Sequence, residues 1–105
     1  MKVKIETALT GIDGVETLKS DKGRPLTIKD IIVNSVLTPL QDDDEKKKFE
    51  KYEIFKKVRD AKSEVELSIE QIALIKKSIG KIQPPLIMGQ CFEILENNET
   101  LKIKR

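Results

Sequence analysis

Residues 68–96, SIEQIALIKKSIGKIQPPLIMGQCFEILE, decide the fold. Ser68 followed by Gln71 is a capping-box pattern that predicts a helix start. Ile69, Ile72, Ala73, Ile75 and Ile79 then recur at helical spacing as a core stripe, with Leu74 projecting off it. Gly80 is placed to terminate this third helix. A fourth helix is predicted from Pro85, since proline is tolerated in a first turn, to about Glu96. Its apolar residues Ile87, Met88, Cys91, Phe92, Ile94 and Leu95 cover nearly half its circumference, with Gln90, Glu93 and Glu96 opposite. This breadth predicts the central helix of the fold. Asn97 and Asn98 are good stop residues.

Toward the N-terminus, residues 64–67 (EVEL) alternate and read as a short extended link. A second helix is predicted from Asp44 to Ala61. Asp42, Asp43, Asp44 and Glu45 place negative charge where a helix N-terminus favours it. Ile54, Phe55, Val58 and Ala61 share a narrow arc, Tyr52 lies at its edge and Phe49 well outside it. A first helix is predicted from Ile28 to Leu37, with Thr27 as N-cap and Asp30 in its first turn. Ile28, Ile31, Ile32 and Val36 form its stripe; Val33 and Leu37 widen it, predicting burial on more than one side. Residues 2–9 alternate as a half-buried strand. Gly11 and Gly14 mark a turn, and residues 15–19 complete a hairpin. The tail LKIKR alternates again and offers Leu101 and Ile103 to the core as a short strand.

The predicted fold is α+β, mainly α. About four helices pack around the C-terminal helix, with a small N-terminal β-hairpin. The 105 residues make one domain: a β element over 1–24, a helical core over 25–97 and a tail over 98–105. Charged residues are 36% of the chain, yet 20 basic against 18 acidic leaves a net charge of only +2. That balance argues against a dedicated nucleic-acid binder. The first residues lack the apolar core of a signal peptide. No apolar run approaches the roughly 18 residues of a membrane span. A single cysteine forbids an intramolecular disulfide and fits a reducing, cytoplasmic setting.

The sequence contains no histidine, which removes the commonest general base and nearly all mixed zinc sites. Cys91 lies on the apolar arc of helix four with no histidine to activate it, and reads as a buried small hydrophobe. Residues 42–45 lack the ligand spacing and central glycine of a calcium loop. Gly80-Lys81 lacks the upstream glycine and the following Ser or Thr of a phosphate-binding loop. A helix-turn-helix reading fails because helix four would present Glu93 and Glu96 to phosphates. Acids interleaved with lysines, such as Glu53 with Lys57, read as solvated i,i+4 pairs. No catalytic residue, cofactor or metal is expected, and no enzyme.

Two groups of residues remain. Phe49, Tyr52 and Leu74 are apolar positions outside the core stripes: they either anchor a protein partner or a second copy, or the N-terminal hairpin covers them. Lys76, Lys77, Lys81, Lys102, Lys104 and Arg105 make a basic set without interleaved aromatics, solvated or serving an accessory nucleic-acid contact.

The segments PLTIKDIIVNSVL (25–37) and LSIEQIALIKKSIGKIQPPLIMGQ (67–90), joined by a charged helix, resemble short proteins of tailed bacteriophages and prophages. The likeness covers about two-thirds of the chain. It implies a viral setting, in particle assembly or as a small host-directed factor, and carries no catalytic signature or site residues. The expected function is therefore non-enzymatic protein–protein interaction, with nucleic-acid binding by the C-terminal lysines as the alternative.

Overall fold

The structure, a computed structural model, describes residues 2–19 and 23–100, with side chains through Glu96. In chain order the elements are β1 (Lys2–Lys4), α1 (Ile28–Leu37), α2 (Glu45–Asp60), β2 (Glu64–Glu66), α3 (Ile69–Ile82) and α4 (Pro85–Thr100). The chain is α+β and mainly α, with four helices and a small β element built on its N-terminus.

The three inner helix starts are set by local side-chain chemistry. Thr27 and Asp30 form a reciprocal capping box on α1, as Ser68 and Gln71 do on α3. The Asp44 side chain accepts the Lys47 amide at the start of α2. Each cap satisfies backbone donors that a helix start leaves without partners. The far end of α2 is capped from another element. Lys29 of α1 donates its Nζ to the carbonyls of Arg59 and Ala61 at 3.2 and 3.0 Å, placing a cation at the negative end of the helix dipole.

β1 pairs antiparallel with β2, in the register Lys2–Glu66, Val3–Val65 and Lys4–Glu64. Val3 and Val65 face the core, while lysines and glutamates meet on the open face, a favourable cross-strand arrangement. The stretch read as an extended link is thus the partner strand. The N-terminal turn also closes, through a Thr10–Thr17 bridge. Beyond it the chain returns twice. Leu18 donates its amide to the Leu9 carbonyl, Leu26 to Leu18, and Leu9 to Leu26, at 2.8–2.9 Å. This ring of three backbone hydrogen bonds ties three chain passes together.

One apolar cluster runs from Val3 and Ile5 through all four helices to Cys91 and Leu95. Its hub is α1, which packs against both α2 and α3, rather than α4, which lies against α3 and β1. The reason lies in the faces. Ile28, Ile31, Ile32 and Val36 of α1 are buried, whereas Ile87, Met88, Phe92 and Ile94 of α4 are only partly so. The presumed outer face of α4 is also occupied. Gln90 Oε1 accepts the Thr10 amide at 2.8 Å and its Nε2 donates to the Thr10 carbonyl at 2.8 Å. Glu96 pairs with Lys76.

Three expected helix details differ. Gly80 does not end α3; the helix continues to Ile82 and stops before Pro84. The positive-φ glycines among the described residues are Gly14 and Gly23, so Gly80 is no left-handed cap. Ile69 and Ala73 are exposed, and the α3 stripe is Ile72, Ile75 and Ile79. α4 continues past Asn97 and Asn98 to Thr100, claiming residues expected in the tail. The strand expected at Leu101 and Ile103, and Lys102, Lys104 and Arg105, lie outside the described residues.

Candidate interaction surface

Phe49, Tyr52 and Phe55 follow one another along α2 at i, i+3 and i+6, so they climb one flank of the helix. Ring centroids are 6.3 Å apart for Phe49–Tyr52 and 6.2 Å for Tyr52–Phe55. Phe55 is packed against the core, but Tyr52 is 46% and Phe49 58% exposed. The Lys56 ammonium sits 5.2 Å from the Tyr52 ring centre and the Arg59 guanidinium 5.3 Å from that of Phe55.

Leu37, the last residue of α1, continues this surface. It is 50% exposed and shares a hollow of about 300 Å³ with Tyr52, Pro39 and Lys48. Helical spacing places Leu37 on the buried side of α1. At the final turn of α1 it is only half covered.

Leu74 belongs elsewhere. It packs partly against the core and lines a groove between α2 and α3 with Glu50, Glu53, Ile54 and Glu70. Phe49 and Tyr52 therefore share a surface and Leu74 does not. The N-terminal segment is held to α1 and α4 instead, through the Ile5 carbonyl to the Lys29 amide and through Thr10 to Gln90.

Beneath the hollow lies a charged pair that periodicity hid. Lys51 is 2% exposed and its Nζ donates to Asp43 Oδ2 at 2.5 Å. The same oxygen accepts the Leu40 amide at 2.9 Å, while Oδ1 is buried without a hydrogen-bond partner. Burial pushes the Asp43 carboxyl up, but the Lys51 hydrogen bond, the Leu40 amide and the Lys51 charge outweigh it and hold the carboxyl below its usual range. The available signal was Lys51 standing three and seven residues before Ile54 and Val58, on the core-facing arc.

The acidic run is thus divided among structural roles. Asp42 pairs with Lys77 at 3.0 Å, Asp43 with Lys51, and Asp44 caps α2. Among the described residues no group of three or more metal-ligating side chains converges. Cys91 is fully buried, and desolvation pushes its thiol up to about 12. In the basic set, Lys76 is held by Glu96 and lies 5.3 Å from the Phe92 ring centre, while Lys77 is held by Asp42. The expected Glu53–Lys57 pair is not made; Lys57 reaches across to Gln71 Oε1 at 3.2 Å. Among the described residues no helix is long and apolar enough to cross a membrane.

Comparison with models of known protein families, with curated proteins and with solved structures finds no match to this chain.

Proposed function

We propose that this protein acts without catalysis, by binding another protein through the strip formed by Leu37, Tyr52 and Phe49. The observation that carries this reading is three large apolar side chains, each about half exposed, in one neighbourhood. Solvent contact at such side chains forfeits hydrophobic stabilisation of roughly 25 cal/mol per Å² of apolar surface, which a partner recovers. Clustered aromatics are the usual anchors of protein interfaces. Lys48 and Lys56 fringe the strip with positive charge, which favours a partner with acidic residues around its own apolar centre. The setting we propose is the host cytoplasm during phage particle assembly, or action there as a small host-directed factor, following the resemblance of residues 25–95.

The test is Phe49→Asp in the full chain. It should abolish association, read as light-scattering mass and as the proteins retained in a pull-down, with helical circular dichroism and thermal midpoint unchanged. An unaltered mass and an unaltered retained set would show that the strip is idle. The nucleic-acid alternative is less well supported. Lys76 and Lys77 are already ion-paired, leaving Lys81 as the member of the basic set without an ion-pair partner among the described residues. It requires retention on DNA or RNA at low salt that weakens as salt rises.

A further inference from the structure

α2 and α3 diverge enough to leave a groove of about 510 Å³ between them. Its floor is Ile54, Ala73 and Leu74; its walls carry Glu50 and Glu53 from α2 and Glu70 from α3. None of these three carboxylates forms an ion pair or side-chain hydrogen bond with a described residue. The cation lining the groove, Lys77, is engaged by Asp42 at 3.0 Å, and the nearby Lys57 is turned to Gln71. The groove therefore presents an apolar floor between carboxylates that hold no ion pair of their own. Its chemical complement is a helix with a leucine or isoleucine stripe flanked by lysines or arginines, laid along the cleft. The same carboxylates repel phosphate-bearing surfaces, which disfavours nucleic acid or an anionic membrane as occupant.

We propose that the α2–α3 groove is a second docking site, whose occupant is a basic amphipathic helix of a partner protein. It is separate from the Phe49–Tyr52 surface and stands or falls independently of it.

The test uses the full chain and a dye-labelled helical peptide of leucine and lysine, with leucines at the two core positions of each heptad, beside its leucine–glutamate counterpart. Fluorescence anisotropy should show binding of the lysine peptide, weakening with salt, and none of the glutamate peptide. Glu53→Lys with Glu70→Lys should weaken binding about tenfold or more. The control, Glu16→Lys with Glu93→Lys, makes the same change in net charge on exposed residues away from the groove and should leave affinity nearly unchanged. Phe49→Asp, which adds a carboxylate one helical turn from Glu53, should not weaken it. Equal losses in both charge-reversed chains, loss with Phe49→Asp, or no binding to the parent chain would overturn the proposal. So would self-association of the parent chain abolished by the groove substitutions, which would assign the cleft to a second copy.

Discussion

The ammonium of Lys51 lies 2.5 Å from the Asp43 carboxylate with both side chains withdrawn from solvent. A buried ion pair is weak evidence for stability, because desolvating both charges offsets much of their attraction, but leaving one partner alone is costly. Lys51→Met should therefore destabilise the fold by about 3–5 kcal/mol. Adding Asp43→Asn should recover a large part of that loss, since the amide carries no charge and its oxygen still accepts the Leu40 amide. Urea unfolding of the two single variants and the double variant measures the coupling. Strictly additive losses would contradict it.

The same pair sets an acid response. The folded Asp43 carboxyl titrates below its ordinary 3.8, so between the two values the folded chain binds fewer protons than the unfolded chain. Its contribution is fully present above the unfolded pKa and disappears as pH falls through the folded one. The stability gap between the parent chain and Asp43→Asn should thus be constant above about pH 5 and shrink below about pH 4. Chemical denaturation across that range reads it directly. A gap that widens on acidification would refute the assignment.

Gly80 separates two pictures of α3. As a left-handed cap it would resist any side chain. Within the helix, an added Cβ meets Phe92 Cζ at 3.6 Å and Met88 Sδ at 4.0 Å, ordinary contact distances. Gly80→Ala should therefore stabilise the chain by about 0.5–1 kcal/mol, through reduced freedom of the unfolded backbone. A raised thermal midpoint confirms helical continuity; a lowered one speaks for the cap.

Cys91 reports on opening of the core. Its thiol is buried and pushed up to about 12, so little of the reactive thiolate exists in the native state at mildly alkaline pH. Disulfide-exchange reagents should modify it slowly in buffer and quickly in denaturant, with a rate that follows the unfolding transition. Rapid native labelling would place the sulfur at the surface.

Helix starts were legible because caps are local. Thr27 with Asp30, Asp44 with Lys47, and Ser68 with Gln71 lie three residues apart, and each fixes a boundary without help from the rest of the chain. The aromatic flank was legible for the same reason, since the helical period places Phe49 and Tyr52 outside the arc of Ile54 and Val58. What escaped depends on distant partners. Residues 64–66 become a strand only because Val65 finds Val3, although the lysines of 2–4 and the glutamates of 64–66 match in charge. Lys51 looks like surface until Asp43, eight residues earlier, is known to meet it inside. Gly80 resembles a stop until α4 is packed against it. Gln90 resembles solvent-facing polarity until Thr10 arrives from the far end of the chain.

The hydrogen-bond ring through Leu9, Leu18 and Leu26 closes beneath the turn that carries Ile12 and Val15, whose side chains project into solvent. The turn itself is stapled from within, Asp13 Oδ1 accepting the amides of Val15 and Glu16. Because the base is clamped below, the tip contributes nothing to the core, and lengthening it adds only a slowly growing closure entropy. The molecule thus offers a graft point: an epitope tag spliced between Asp13 and Gly14 gives up the Asp13 staple but would be displayed on a stalk whose root is already fastened at three places.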